Sequence, residues 1–201
     1  MDPDRVRSNL EAVREKIGPE IEVLAAVKYV PERDLPALAE AGIELVGENR
    51  AQDLLAKQEA HGDLFTWDFI GRLQSRKVKD VAPHVRLIHS LASESALRRL
   101  EEHPATEVLI QVNVAGEEGK AGIAPEDLGE FIARSPVPVT GLMTMPPFVE
   151  RPEHNRRHFA RLAELAGEHG LIRLSMGTSQ DYEVAAAEGA TIVRLGSVLY
   201  E

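Results

Sequence analysis

The stretch I21-E-V-L-A-A-V-K28 is a run of apolar residues that ends on a lysine. Its length and its β-branched residues predict a buried strand over 21–27, followed by a helix over 32–41. Lysine is rarely buried, so an amine at the end of such a strand either reaches water or serves chemistry. Partial desolvation would favour the neutral amine, which attacks aldehydes. Lys28 is therefore the first candidate for a functional site.

The same pairing of a strand with a helix recurs along the whole chain. Short apolar runs alternate with amphipathic stretches rich in Ala, Glu, Arg and Leu, which is typical of βα units. Eight strands are predicted, at 21–27, 43–46, 66–70, 85–89, 106–113, 137–142, 171–175 and 191–195. Eight helices are predicted, at 3–17, 32–41, 50–60, 75–82, 93–102, 125–133, 152–168 and 180–188, and none after the last strand.

This order of elements predicts an α/β fold, a single (β/α)8 TIM-type barrel with an extra N-terminal helix, spanning 1–201 as one domain. The alternative is an open doubly wound sheet, but no G-x-G-x-x-G follows the first strand. In a barrel, the functional site lies where the strands end at their carboxyl termini. Closure would also make the last strand the neighbour of the first.

Composition narrows the classes of function. The 201 residues are 43% apolar, enough for one core, and the formal net charge of −10 argues against binding to nucleic acid or an anionic membrane. No apolar run is long enough to span a membrane, and the charged start M1-D-P-D-R5 is unlike a signal peptide, so we expect a cytoplasmic protein. The chain has no cysteine and no H-E-x-x-H pattern, so no thiolate chemistry and no metal site are predicted.

Two turns rich in Gly and Ser follow the last two predicted strands. In S175-M-G-T-S179, Gly177 relaxes the backbone and Ser179 is predicted to cap the next helix; after the last strand come Gly196 and Ser197. Such turns bind phosphate through free N–H groups, and barrels often place a phosphate after strands 7 and 8. The alternative is that these are ordinary turn residues. Two such turns at this location favour a phosphate site.

Arg194 precedes the second of these turns by two residues. If Ile192 and Arg194 face the barrel interior, a guanidinium lies near Lys28 and the phosphate turns. The alternative is an arginine at a strand end that faces an acidic surface. A fixed cation can also hydrogen-bond a heteroaromatic nitrogen and keep it unprotonated. A reactive lysine, a phosphate turn and a cation between them describe a site for pyridoxal 5′-phosphate (PLP).

The sequence also resembles the pyridoxal phosphate homeostasis protein family, which is related to the N-terminal barrel of alanine racemase. The matching segments occur in order and nearly from end to end. They are L24-A-A-V-K28, V46-G-E-N49, W67-D-F-I-G-R-L-Q-S75, V112-N-V114, K120-A-G-I123, G141-L-M-T-M145, L174-S-M-G-T-S-Q-D181 and G189-A-T-I-V-R-L-G-S197.

The resemblance implies a role for each matching residue. Lys28 would carry PLP as a Schiff base, Arg194 would meet the pyridine nitrogen, and Asn49 would lie near the ring or its 3-hydroxyl. The residues implied to surround the phosphate are Ser175, Gly177, Ser179, Gly196 and Ser197. One departure is Asp68, where the family commonly has histidine. Lys120 is either a second lysine that acts on the cofactor or a solvated loop residue.

Three functions are compatible with these residues. A racemase needs a proton-transfer base on each face of the substrate, and Lys28 covers only one. In racemases of this fold a second domain supplies the other base. We expect no second domain here because the chain ends at Glu201, and we expect a monomer for the same reason. A barrel that binds some other phosphorylated metabolite is the third reading. We therefore favour a PLP-binding homeostasis protein without established turnover, whose partners would be PLP and PLP-requiring apo-enzymes, over a PLP-dependent racemase-like enzyme.

Overall fold

Eight parallel strands close into a barrel in the computed structural model, which describes residues 1–201. Each strand pairs with its neighbours in chain order, and the last strand pairs with the first. The predicted barrel is confirmed, and all eight predicted strands are present with shifted ends. They are β1 (Glu22–Ala26), β2 (Leu45–Glu48), β3 (Thr66–Phe69), β4 (Leu87–Leu91), β5 (Val108–Gln111), β6 (Val139–Met143), β7 (Arg173–Thr178) and β8 (Ile192–Leu195).

Nine α-helices surround the strands, and eight of them were predicted. The ninth is a short helix after β8, where no helix was expected. The helices are α1 (Pro3–Ile17), α2 (Leu35–Glu40), α3 (Ala51–His61), α4 (Val78–Val81), α5 (Glu94–Glu102), α6 (Leu128–Ala133), α7 (Arg156–Glu168), α8 (Tyr182–Ala187) and α9 (Ser197–Tyr200).

Several helices begin later than the sequence pattern predicted. Their first turn is a 3₁₀ turn, which forms readily at helix ends because it satisfies some of the N–H and C=O groups left unpaired there. A periodicity of apolar residues cannot distinguish such a turn from the α-helix that follows it. The turns are Glu32–Asp34 before α2, Ser75–Lys77 before α4, Pro125–Asp127 before α6 and Pro152–Asn155 before α7.

The helices turn one apolar face toward the strands. On α1, Val6, Leu10 and Val13 are buried, and Asp2 caps the helix by accepting a hydrogen bond from the Asp4 backbone N–H. None of the helices combines the length and the apolar character that crossing a bilayer requires. The apolar faces are instead used within the fold, in a core cluster of 48 buried residues between strands and helices.

A second, smaller cluster fills the inside of the barrel. Its six members come from six different strands, as expected for side chains that point toward the barrel axis. They are Leu24, Leu45, Leu87, Leu109, Met143 and Ile192. Ile192 is thus one of the interior residues, as the placement of Arg194 near Lys28 required.

Barrel closure brings the two ends of the chain together. In the pairing of β1 with β8, Glu22 lies opposite Ile192 and Leu24 lies opposite Arg194. The turn after β1, which contains Lys28, therefore opens on the same edge as the turn after β8. Neighbouring β7 adds its own turn to this sector of the barrel mouth.

Close packing between β6 and β7 requires Gly141. A Cβ atom at this position would lie 2.0 Å from the backbone oxygen of Arg173, a contact that only backbone movement could relieve. We expect Gly141→Ala to lower the free energy of unfolding by about 1–3 kcal/mol in urea denaturation. Gly62→Ala is the matched control, because its φ is −56° and the nearest atom would lie 3.8 Å away. It should change stability by less than about 1 kcal/mol, and an equal loss in both variants would contradict the role of Gly141.

Candidate functional site

Lys28 lies in a tight turn just outside the barrel. Strand β1 ends at Ala26, and the turn is closed by a hydrogen bond of 3.0 Å from the Val30 N–H to the Val27 oxygen. Lys28 is exposed, with its Nζ 4.5 Å from the centre of the Tyr29 ring. The expectation of a partly desolvated amine is therefore wrong for this structure, because the strand ends at Ala26, one residue earlier than predicted, and the turn carries Lys28 outside the barrel. The amine is instead accessible at the barrel mouth.

A buried ion pair fixes the backbone beside Lys28. The Nζ of Lys57, on α3, donates to Glu48 Oε2 and to the Val27 oxygen, both at 2.6 Å. Glu48 is fully buried at the end of β2, and its Oε1 accepts a hydrogen bond of 2.6 Å from the Asn49 N–H. One ion pair thus holds the turn that carries Lys28 and the residue Asn49. Sequence reasoning did not identify it, although Glu48 stands at the end of a wholly buried strand, where a charge needs a partner.

The C-terminal helix supports the same strand end. The hydroxyl of Tyr200, on α9, donates to the Ala26 oxygen at 3.2 Å. Burial raises the pKa of Tyr200 above its ordinary value, and the nearby Glu48 raises it further, so the hydroxyl stays a donor. The two carbonyl groups that precede Lys28 are therefore both held by side chains from other parts of the fold.

Asn49, which follows β2, has an acceptor without a partner. Its Oδ1 is buried and has no hydrogen-bond partner within the protein. Its backbone lies against Gly71, where a Cβ atom would be 1.9 Å from the Asn49 oxygen, so only glycine fits. Buried acceptors without a partner are rare in folded proteins, and a ligand hydroxyl or N–H would satisfy this one.

The two Gly/Ser turns contact each other directly. Ser179 Oγ accepts hydrogen bonds from the backbone N–H groups of Gly196, at 3.0 Å, and Val198, at 3.4 Å. Gly177 has a φ of +90°, and a Cβ atom there would lie 2.6 Å from Ala185 Cβ. The sharp turn after β7 therefore requires glycine, and it brings Ser179 against the turn after β8.

The predicted helix cap at Ser179 is wrong. Helix α8 begins at Tyr182, and the Ser179 hydroxyl is used by the neighbouring turn instead. Asp181 closes the turn after β7 by accepting from the Thr178 N–H at 2.8 Å. Ser197 is exposed and is the first residue of α9. Two hydroxyls and several N–H groups thus lie at one small region of the mouth, which suits an anion.

Arg194 is a buried cation without a carboxylate partner. Its Nη1 donates to the backbone oxygen and to Oγ of Ser175, both at 2.6 Å, and its Nη2 donates to the Thr144 oxygen at 2.8 Å. The sulfur of Met145 lies 2.8 Å from the same Nη2. Burial lowers the pKa of Arg194 to about 10, so the group stays charged near neutrality. A buried charge that meets only neutral acceptors is costly, which marks this arginine as a candidate for ligand binding.

Ser175 does not lie in the phosphate turn, contrary to the prediction. It is fully buried in the barrel interior, and its hydroxyl contacts Arg194 and the His89 Nδ1, the latter at 2.8 Å. The reason is its position in β7, three residues before the end of the strand, with its side chain toward the barrel axis. Ser175 therefore supports Arg194 from inside the barrel.

Asp68 and His89 continue the polar interior. His89 Nε2 lies 3.0 Å from Asp68 Oδ2, and Arg86 binds both oxygens of Asp68, at 3.0 and 2.7 Å. Burial lowers the pKa of His89, and this outweighs the opposing effect of Asp68. Burial alone would raise the pKa of Asp68, but the hydrogen bonds of His89 and Arg86 outweigh it and hold that pKa below its ordinary value. The pair is therefore a carboxylate and a neutral imidazole.

Lys120 lies away from this sector. It follows β5, across the barrel from β1, and forms an ion pair with Glu117. By contrast, the other predicted residues lie near the carboxyl ends of the adjacent strands β7, β8, β1 and β2 or in the turns just after them, apart from the displaced Ser175. These residues are Lys28, Asn49, Gly177, Ser179, Arg194, Gly196 and Ser197.

Comparison with known proteins points to one family. The alanine racemase N-terminal domain family matches residues 1–201. A pyridoxal phosphate homeostasis protein of Aquifex aeolicus is 45% identical over 194 residues, covering 89% of this chain and 85% of the relative. The protein of the same name from Pseudomonas aeruginosa is 40% identical over 191 residues, covering 89% and 83%.

Solved structures agree with these matches. PipY of Synechococcus elongatus PCC7942, solved with and without PLP, superposes with a TM-score of 0.85 at 30% identity, covering 98% of this chain and 100% of PipY. Alanine racemase of Corynebacterium glutamicum superposes with a TM-score of 0.77 at 18% identity, covering all of this chain and 61% of the racemase. The second likeness shows a shared fold alone.

The neutral state of His89 predicts a pH dependence of stability. Because the pKa of His89 is lower in the folded protein than the ordinary value of about 6.5, the unfolded chain binds a proton that the folded chain does not. The free energy of unfolding should therefore fall as the pH decreases from about 7 to 5. In urea denaturation, His89→Gln should flatten this slope, leaving a smaller contribution from His158, whose pKa burial also lowers.

His84→Gln, at an exposed histidine, is the control and should keep the wild-type slope. Equal slopes in His89→Gln and the wild type would contradict a neutral, buried His89.

Proposed function

The chain belongs to the alanine racemase N-terminal domain family, in its pyridoxal phosphate homeostasis group, and we therefore propose that it binds PLP on Lys28 and takes part in intracellular PLP homeostasis. The observation that carries the proposal is that three chemical groups lie at the carboxyl ends of adjacent strands. These are the accessible amine of Lys28, the paired Gly/Ser turns after β7 and β8, and the buried guanidinium of Arg194. An aldehyde, a phosphate and a ring nitrogen are the complementary groups of PLP.

The residues of the site fit this cofactor. The Lys28 amine would condense with the aldehyde, with release of one water. The donors available to a phosphate are the N–H groups of Gly196 and Val198 and the hydroxyls of Ser179 and Ser197, in a region where Gly177 permits close approach. These N–H groups now point at Ser179 Oγ, so a phosphate would compete for them. The unused Oδ1 of Asn49 can accept from a hydroxyl on the ring.

Arg194 favours a carrier over an enzyme. PLP supplies an electrophilic aldehyde and, when its ring nitrogen is protonated, an electron sink for reactions at Cα. A guanidinium donates a hydrogen bond to that nitrogen and has no proton to yield near neutrality, so it keeps the nitrogen unprotonated. Two relatives are named pyridoxal phosphate homeostasis proteins, and the likeness to the solved alanine racemase extends to the fold alone.

The proposed partners follow from this role. A protein that holds PLP reversibly would exchange it with PLP-requiring apo-enzymes in the cytoplasm, and we propose that it does so as a monomer. The net charge of −10 argues against a nucleic acid or an anionic membrane as a partner, and it is compatible with a small anionic ligand bound at a local cationic site.

The first test is the visible absorption of the protein with added PLP. Lys28→Ala should remove the absorption band of the covalent complex, because the other amine near this end of β1, that of Lys57, is buried and held in its ion pair with Glu48. Borohydride should trap PLP on Lys28 in the wild type. Lys79→Ala, at an exposed lysine of α4, is the matched control and should retain the band. A wild-type protein that takes up no PLP, or a Lys28→Ala variant that keeps the band, would overturn the proposal.

The second test separates a carrier from a racemase. Alanine incubated with the PLP-loaded protein in D₂O should gain no deuterium at Cα beyond the amount seen with free PLP. Exchange at a sustained rate, followed by NMR and abolished in Lys28→Ala, would favour the racemase reading.

A further inference from the structure

A chain of hydrogen bonds crosses the barrel interior and ends on Arg194. Arg86 binds Asp68 with two hydrogen bonds, Asp68 contacts His89 at 3.0 Å, and His89 contacts Ser175 at 2.8 Å. The Ser175 Oγ then accepts from Arg194 at 2.6 Å. The strands that carry these residues, β3, β4, β7 and β8, lie on different sides of the barrel, so the chain is a tertiary feature.

Each link in this chain has a defined direction. The Asp68 carboxylate can only accept, so His89 Nε2 carries the proton that it donates to Asp68. In a neutral imidazole the other nitrogen, Nδ1, is then an acceptor, and its donor is the Ser175 hydroxyl. With its proton directed at His89, Ser175 Oγ turns a lone pair toward the N–H of Arg194.

The direction of these bonds determines how Arg194 is held. Both hydrogens of Nη1 are used by Ser175, through Oγ and the backbone oxygen, and Nη2 binds the Thr144 oxygen. None of the hydrogen bonds of the side chain uses Nε. The hydrogen bonds of Nη1 and Nη2 thus fix the plane of the guanidinium group. The Nε–H remains as a donor for a ligand.

We propose that His89 is a positioning residue for Arg194. By accepting the proton of the Ser175 hydroxyl, His89 keeps the Ser175 lone pair on the guanidinium and holds Arg194 ready for the ring nitrogen of PLP. The inference rests on the proposed function, since it assigns a device that supports the same site. Nothing in it depends on His89 touching the cofactor.

Asp68, His89 and Ser175 are also arranged like the acid, base and nucleophile of a catalytic triad. Ser175 cannot act as a nucleophile here, however. The Ser175 hydroxyl has no exposed surface, and the guanidinium of Arg194 lies against its Oγ. A nucleophile must reach its substrate and use that same lone pair. The arrangement therefore orients Arg194 and does not attack a substrate.

The test compares two substitutions at His89. In His89→Gln, the amide N–H can donate to Asp68 while the amide oxygen accepts from Ser175, so PLP affinity should stay within about twofold of the wild type. In His89→Met both partners lose their hydrogen bond, and we expect the Kd for PLP to rise about tenfold with a shifted absorption maximum. Each protein is measured well below its own Tm.

Leu91→Ala is the control for lost packing in the same strand. Leu91 is fully buried in β4 and belongs to the core cluster between strands and helices, so its truncation should lower Tm without changing the Kd or the spectrum. If His89→Met behaves like Leu91→Ala, with a lower Tm but an unchanged Kd and spectrum, the role of His89 is structural only and the inference is overturned.

A double variant tests the route through Ser175. Ser175→Ala should weaken PLP binding about as much as His89→Met, and combining the two should cause no further loss. Additive losses would overturn this route. If His89→Met does not fold, Ser175→Ala decides alone, since an unchanged Kd and spectrum in that variant would overturn the inference. Failure of the wild type to take up PLP would instead overturn the proposed function, and the inference with it.

Discussion

The parallel pairing of β1 with β8 is the interaction on which the candidate site depends. These strands lie near opposite ends of the chain, so their pairing closes the longest loop in the fold and has a correspondingly high entropic cost. Without it, the turn of Lys28 and the turns of Ser179 and Gly196 would lie at separate edges of an open sheet. With it, four adjacent strands, β7, β8, β1 and β2, present their turns to one sector of the mouth.

The buried charged residues of the fold follow two different rules. Glu48 and Asp68 are fully buried, and each is matched by a cation that also donates hydrogen bonds, Lys57 and Arg86. Such pairs add little net stability, but they hold backbone and side chains in defined positions. Arg194 has no such partner, and its acceptors are all neutral. Arg194, the buried charge without an ionic partner, lies at the proposed cofactor site. Functional sites commonly contain residues that are unfavourable for stability.

The order of elements could be predicted from the sequence because each unit repeats a local pattern. A buried strand is a short β-branched run and a covering helix is an amphipathic stretch, so all eight strands and eight of the nine helices were identified. The ends were less predictable, because 3₁₀ turns share the periodicity of the helices that they begin. The end of β1 at Ala26 is the consequential case, since it makes Lys28 accessible where burial had been expected.

The sequence by itself determined the barrel, the position of Lys28 and Arg194 at strand ends, and the two Gly/Ser turns. Only the tertiary structure decided how the side chains pair. Ser179 caps no helix because the turn after β8 supplies its donors, and Ser175 lies inside the barrel against His89 and Arg194. The sequence pattern also did not predict the buried ion pair of Glu48 and Lys57. Periodicity reports which face of an element a residue occupies. A hydrogen-bond partner from a distant strand depends instead on the register of the strands and on how side chains pack in the closed barrel, which no local pattern encodes.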